Sequence, residues 1–278
     1  MKINIAKSSG FCFGVRRAIN TGLKLARGRH KTYILGDIVH NNYVVKDLEK
    51  QGIKKILAIK PINDAALIIS AHGAARRIFL RAKSCGYKIV DATCPKVKDI
   101  YKIARSLEKN RQIIIIGDLN HEEVKGIAGQ LRQCAITVES AHNLPVKKLK
   151  NIAKAAVVTQ STQTIENIER IMRRLERIIP DVKLYNTVCR TTMIKQEEIK
   201  TLPKENDIVL IIGSPTSANT KRLYEISRAI NKKTYWIENS KGIKKSWFRD
   251  IKSVGIMAGA STPDIIVQEI VAKIKQMR

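Results

Sequence analysis

The chain has 278 residues, 44% of them hydrophobic and 27% charged, enough to bury a core without disulfide or metal staples and too apolar to be mainly disordered. No apolar run approaches the roughly 20 residues of a membrane span, and the start MKINIAKSSGFCFG has no long apolar stretch before a small-residue cleavage site, so the expected compartment is the cytoplasm, with no membrane partner. Lys and Arg number 52 against 24 Asp and Glu, a formal charge of +28, but the excess is spread along the chain, aromatics are 5% and no nucleic-acid-binding signature stands out, so no dedicated nucleic-acid partner is expected.

Short runs rich in Ile and Val read as buried strands, and longer amphipathic stretches read as helices. In chain order, the Gly-bracketed turn Gly10-Phe11-Cys12-Phe13-Gly14 precedes a helix over Val15–Ala26. The strand Thr32–Leu35 leads into Asp37, His40 and Asn41, and Ala66–Ile69 leads into Ala71-His72-Gly73. Lys88–Val90 leads into Asp91-Ala92-Thr93-Cys94 and a helix over Val97–Glu108. Gln112–Ile116 leads into Asn120, His121 and Glu123; Ala155–Val158 leads into Gln160-Ser161-Thr162 and a helix over Ile165–Ile178. Val182–Leu184 leads into Asn186-Thr187-Val188-Cys189. Asp207–Ile212 leads into Ser214, Ser217 and Asn219 and a helix over Thr220–Ile230. Lys233–Ile237 and Ser253–Met257 are the last strands, the latter running into Ala258-Gly259-Ala260-Ser261 and a helix over Asp264–Gln276. This alternation predicts an α/β protein with parallel or mixed sheets.

Polar residues thus gather after strands, where ligands of α/β sheets bind. Capping of the following helices accounts for some of these positions, but not for His40, His72, His121, Cys94 and Cys189. The five cysteines are odd in number and contain no C-x-x-C pair, which speaks against a disulfide framework, a zinc ribbon or a thioredoxin-type site. Cys85, in a helical stretch, and Cys134, near a strand, read as buried small hydrophobes. Cys12, Cys94 and Cys189 precede helices, where exposed N–H groups and the helix dipole stabilise a thiolate. They suit either an iron–sulfur cluster with one iron left open or, with a histidine, a zinc site; spacing leaves both open. His30 and His142 read as surface residues. Ser217, Asn219 and Ser261, each read as lying before a helix, are neutral donors that can hold a phosphate together with helix N-termini. Two functions follow: an enzyme with a metal, an acid and an anion site, or a basic nucleic-acid-binding protein with a structural zinc.

The segments GFCFGVRRA (10–18), GDIVHNNYV (36–44), SAHG (70–73), DATCPKV (91–97), GDLNHEEVKGI (117–127), TQSTQT (159–164), NTVCRTTMIKQ (186–196), GSPTSANTKRL (213–223) and AGASTP (258–263) decide between them. In this order they resemble the 4-hydroxy-3-methylbut-2-enyl diphosphate reductase family over nearly the whole chain. The resemblance implies three similar small α/β units, 13–95, 96–186 and 187–278 with 1–12, in pseudo-threefold symmetry around a central 4Fe–4S cluster. It implies Cys12, Cys94 and Cys189 as ligands of three irons, with the fourth iron taking the allylic hydroxyl of the substrate. The allylic diphosphate would lie among His40, His72, His121, Ser217, Asn219 and Ser261, with Gln160 and Thr192 lining the pocket and Ser161 near the hydroxyl. Glu123 would be the proton donor. Reduced ferredoxin or flavodoxin would supply electrons to a cytoplasmic monomer. The chain departs from the usual pattern at Ala218 (commonly Ser), Ser161 (Thr), Glu122 (Pro), Asn186 (Asp), Lys195 (Arg) and Met257 (Thr).

Overall fold

The computed structural model describes residues 1–28 and 30–277. Its elements run β1 (Lys2–Ile5), α1 (Phe13–Ala26), β2 (Lys31–Leu35), α2 (Asn42–Lys50), β3 (Ile53–Ile56), β4 (Ala65–Ile69), α3 (Arg76–Ser84), β5 (Tyr87–Asp91) and α4 (Pro95–Leu107). They continue β6 (Gln112–Ile116), α5 (Glu122–Ala128), β7 (Ile136–Val138), α6 (Val146–Leu149), β8 (Lys154–Thr159), α7 (Ile165–Leu175), β9 (Asp181–Tyr185) and α8 (Arg190–Thr201). The last are β10 (Ile208–Ile212), α9 (Ala218–Ile230), β11 (Thr234–Ile237), β12 (Ser253–Ala258) and α10 (Asp264–Lys275). Among the described residues the strands form three four-stranded sheets, ordered β3-β2-β4-β5, β7-β6-β8-β9 and β1-β12-β10-β11. Every pairing is parallel.

Parallel sheets are covered on both faces, so their inner strands read as unbroken apolar runs. Ala65–Ile69 and Ile208–Ile212 are buried at every position. The second sheet shows how the two faces are filled. Ile114, Ile116 and Val157 point to Ile168, Ile171 and Leu175 of α7. Ile113, Ile115 and Val158 point the other way, to Val97, Ile100, Tyr101 and Ala104 of α4. The strand residues alternate with period two, and the helix residues recur at the spacing of one helical face. At the start of this sheet Arg111 donates to both carboxylate oxygens of Asp181 (2.8 and 2.7 Å) and to the Ala155 carbonyl, joining the first residues of β8 and β9.

The strands that the sequence pattern did not reveal, β1, β3 and β7, are all edge strands. Edge strands are half-exposed and short, so KINI, IKKI and ITV carry no apolar run to read. The helix expected after Cys189 is α8, whose buried face of Thr192, Lys195, Gln196 and Ile199 is mostly polar. Cys134 corrects an expectation: it is exposed, not buried. Cys85 is half-buried at the end of α3 and packs on the core of the first sheet.

By contact density the chain divides into two compact units. One comprises Met1–Arg16, His40–Val45 and Arg190–Arg278 and holds the sheet β1-β12-β10-β11. The other comprises Arg17–Val39 and Lys46–Cys189 and holds the remaining two sheets. Those two are joined by α4, which follows β5 of the first sheet and packs on β6 and β8 of the second. No helix among the described residues is long and apolar enough to cross a membrane.

The loop after β4 is shaped by one aromatic side chain. Gly73 has φ +77°, and a Cβ placed there would stand 2.1 Å from the Tyr101 hydroxyl. A Cβ on Gly126 of α5 would stand 2.5 Å from the same oxygen. Tyr101 therefore fills the space between two glycines, and its hydroxyl donates to the His72 carbonyl (3.4 Å). Gly73→Ala is expected to lose about 1–2 kcal/mol from the positive φ alone, with the clash added. Adding Tyr101→Phe should recover the clash part, as read by urea denaturation. Equal stability of Gly73→Ala and the parent would refute this account.

Candidate active site

In each sheet the chain order reverses between the two inner strands: β2 and β4, β6 and β8, β10 and β12. Loops leaving such a pair diverge, and the crevice between them is where ligands bind. His40 follows β2 and His72 follows β4. His121 and Glu123 follow β6, and Gln160 and Ser161 follow β8. Ser217 and Asn219 follow β10, and Ser261 follows β12. Of the expected ligand residues only Thr192 stands elsewhere, buried in α8. The three expected metal ligands occupy a different position. Cys12, Cys94 and Cys189 follow the edge strands β1, β5 and β9, and each directly precedes a helix.

The loops of the second sheet bring the expected acid and its neighbour together. Glu123 is 3% exposed, in the first turn of α5. Its two carboxylate oxygens accept from the Ser161 N–H (2.6 Å) and hydroxyl (2.8 Å). His121 caps the same helix by accepting the Glu123 N–H at Nδ1 (3.1 Å). Its ring meets that of His72 edge-on, with centroids 5.4 Å apart. Gln160 is fully buried; its Oε1 accepts the Asp118 N–H (2.9 Å), while Nε2 has no hydrogen-bond partner among the described residues. Burial, with the charge of Glu123 added, pushes the pKa of the Tyr101 hydroxyl up, so Tyr101 stays a neutral donor.

In the third sheet Ser217 is the N-cap of α9 and accepts from the Thr220 N–H (3.3 Å). Asn219 lies inside the first turn of that helix rather than before it, which corrects the sequence reading. It is buried, and its Nδ2 has no hydrogen-bond partner among the described residues. Ser261 donates to the His40 carbonyl (3.0 Å), which ties the His40 segment to the β12 loop. A donor left unbonded in the interior is unfavourable unless a ligand satisfies it. Asn219 and Gln160 are such donors.

The cysteine turns are held in part by side chains, Glu198, Lys195 and Arg17, to which the sequence pattern gave no role. The Cys12 N–H donates to the Ala260 carbonyl (3.1 Å), and the Val15 N–H approaches Cys12 Sγ at 3.5 Å. Behind this turn, α8 supplies two clamps. Glu198 accepts from the Lys7 N–H (2.5 Å), the Ser8 N–H (2.8 Å) and the Ser8 hydroxyl (2.5 Å). Lys195 donates to the carbonyls of Ser8, Gly10 (3.0 Å) and Ala258 (3.4 Å). The Cys94 turn is held by Arg17, which donates to the carbonyls of Ala92 (3.3 Å) and Thr93 (3.1 Å). Asp91 accepts the Thr93 N–H (3.0 Å) and pairs with Lys98 (2.5 Å). Desolvation opposes ionisation of Asp91, but these partners outweigh it and hold its pKa low. The Cys189 N–H donates to the Ser161 carbonyl (2.9 Å), linking this cysteine to the residue that holds Glu123. Lys195 and Arg17 sit in sequence motifs, yet a cation on a helix ordinarily signals a solvated face.

None of the five cysteines is in a disulfide. Three thiols at helix N-termini, one of them approached by a backbone N–H, suit a soft metal group that stays anionic when bound. A buried lysine whose partners are neutral carbonyls adds a cation to the Cys12 turn. The donor chemistry therefore fits an iron–sulfur cluster.

Known proteins resemble the chain over nearly its whole length. The family model described as LytB protein matches residues 3–275. A protein from Wolbachia sp. subsp. Brugia malayi (strain TRS), named 4-hydroxy-3-methylbut-2-enyl diphosphate reductase, is 38% identical over 99% of this chain and 92% of its own length. One of the same name from Dictyoglomus turgidum (strain DSM 6724 / Z-1310) is 37% identical over 100% and 97%. The solved structure of (E)-4-hydroxy-3-methyl-but-2-enyl diphosphate reductase, described as the terminal enzyme of the non-mevalonate pathway, superposes with TM-score 0.72 at 35% identity, covering 99% of this chain and 100% of that one. The E-1-hydroxy-2-methyl-but-2-enyl-4-diphosphate reductase from Plasmodium falciparum superposes with TM-score 0.88 at 28% identity, covering 98% and 87%. These matches favour the reductase reading and give the nucleic-acid-binding alternative no support. Matched by the family model over residues 3–275 and by relatives at 37–38% identity along 99–100% of its length, the chain belongs to the LytB protein family.

Proposed function

We propose that this protein reduces 4-hydroxy-3-methylbut-2-enyl diphosphate to isopentenyl and dimethylallyl diphosphate, the last step of the non-mevalonate isoprenoid route. In this reading Cys12, Cys94 and Cys189 hold a 4Fe–4S cluster with one iron open, and the three units 13–95, 96–186 and 187–278 with 1–12 contribute one cysteine turn each. The carrying observation is positional: the cysteines of the matched motifs are the ones that lie after edge strands and directly before helices, one per sheet, whereas Cys85 and Cys134 do neither. When bound, the cluster supplies electrons one at a time and a Lewis-acidic iron for the allylic hydroxyl.

The reaction takes up two electrons and two protons and releases water. Hydroxide is a poor leaving group, so the departing oxygen needs a proton. Glu123 supplies it, and Ser161 fixes the carboxyl group through its N–H and hydroxyl. The diphosphate is bound by His40, His72 and His121 and by the neutral donors Ser217, Asn219 and Ser261. Helix N-termini supplement them, and the start of α9 at Ser217 is one. Gln160 and Thr192 line the pocket, and the unbonded Gln160 Nε2 and Asn219 Nδ2 are available to substrate oxygens. Ala218 removes one hydroxyl that relatives commonly offer the diphosphate. The electron donor is a reduced ferredoxin or flavodoxin, and the protein works as a cytoplasmic monomer.

Anaerobically purified protein should be brown, with a broad visible band bleached by dithionite; colourless protein with stoichiometric zinc would overturn the reading. Cys12→Ser, Cys94→Ser and Cys189→Ser should each lose activity and cluster iron after reconstitution, while Cys85→Ser and Cys134→Ser keep both. Full iron and turnover in Cys94→Ser would remove that residue from the ligand set.

Glu123→Gln should retain the cluster and bind substrate but turn over about 10²–10⁴-fold more slowly, the usual contribution of general acid catalysis. Near-normal turnover with the cluster intact would assign the proton to another group. The charge of +28 makes a separate prediction. If the donor is acidic, turnover driven by it should fall steeply with added salt, because screening shortens the attraction to about 8 Å at physiological ionic strength. Dithionite-driven turnover should not fall, and parallel salt curves for the two reductants would make the charge incidental.

A further inference from the structure

Lys195 is 1% exposed, the largest fully buried side chain among the described residues. An ammonium is seldom buried without an anion, because desolvation strongly disfavours the charged form. Its hydrogen-bond partners are the carbonyl oxygens of Ser8, Gly10 and Ala258, all uncharged. The carboxylate of Glu198, one helical turn along α8, is engaged by Lys7 and Ser8 instead. Burial draws the Lys195 ammonium down to about 8, and the Cys12 sulfur is the first of the negative neighbours that oppose the drop, ahead of Glu198 and Asp264. The lysine is therefore still a cation at neutral pH. It binds the carbonyl of Gly10, two residues before Cys12, and that of Ala258, which also accepts the Gly10 N–H.

We propose that Lys195 is the fixed counter-charge of the metal group at Cys12: a positioning residue that braces the Cys12 turn and raises the reduction potential of the cluster. The inference rests on the cluster reading above and concerns a residue that touches neither substrate nor reacting atoms. Reduction adds negative charge to an already anionic group. A cation fixed beside it in a low-dielectric interior stabilises the reduced state more than the oxidised one. The arrangement also accounts for a lysine kept inside: its hydrogen-bonded partners are neutral carbonyls, and a bound metal group would add a full anion close to them.

The test compares the reconstituted parent with Lys195→Arg, Lys195→Met and Lys195→Gln by iron and sulfide content, circular dichroism and a redox titration followed by electron paramagnetic resonance. The Met and Gln variants should have midpoints more negative by at least a tenfold change in the reduction equilibrium, about 59 mV for one electron. Lys195→Arg should stay close to the parent. Folded Met and Gln variants that lose the cluster while the Arg variant keeps it would equally support the counter-charge. A Met or Gln variant with full cluster and the parental potential overturns the inference, as does an Arg variant as disturbed as these two. A parent that takes up no iron and sulfide overturns the cluster reading, and the inference with it.

Discussion

A parallel strand cannot turn directly into its neighbour; the chain must cross back before the next strand begins. Every strand of a parallel sheet therefore releases the chain at the same edge. In each of the three sheets that edge carries the residues with chemical capacity. The reversal of strand order between β2 and β4, β6 and β8, and β10 and β12 opens the loops there. Histidines, serines, an asparagine, a glutamine and the acid follow these inner strands, and the cysteines follow an edge strand in each sheet. One topology used three times thus separates two tasks: inner strands present polar groups, and edge strands present thiols just before helices.

The division of labour among charges follows from solvation. The protein carries a large excess of lysine and arginine, yet the groups assigned to the diphosphate include neither. A buried guanidinium or ammonium needs an anion at all times, whereas a histidine, serine or asparagine tolerates a site that is alternately filled and emptied. The cations Arg17 and Lys195 are instead aimed at backbone carbonyls behind the cysteine turns. There they fix the main chain, and the attraction between their charge and a bound anion comes with no movement of the protein.

The proposed acid is held in a similar way. Glu123 lies in the first turn of a helix, a position that the helix dipole favours for any carboxylate. What distinguishes it is burial together with two hydrogen bonds from one residue, Ser161, whose carbonyl in turn receives the Cys189 N–H. A cysteine turn, the serine and the acid are thereby linked through short-range backbone contacts, which resist the small displacements that degrade proton transfer.

The sequence by itself determined the α/β class, every inner strand, the cysteines worth attention and the polar residues that follow strands. These are legible because buried strands are continuous apolar runs and helix starts have capping residues, both properties of neighbouring residues. The motif pattern also carried the family. Tertiary structure decided what depends on partners distant in sequence. The edge strands β1, β3 and β7 exist only because an inner strand offers hydrogen bonds, so KINI, IKKI and ITV gave no signal of their own. Asn219 moved from before a helix into its first turn, and Cys134 from interior to surface, because helix starts and loop burial are set by packing. Above all, Lys195 has the sequence signature of a solvated helix face and the environment of a buried core residue. Only the fold, by setting the carbonyls of Ser8, Gly10 and Ala258 around one ammonium, gives that charge a place inside the protein.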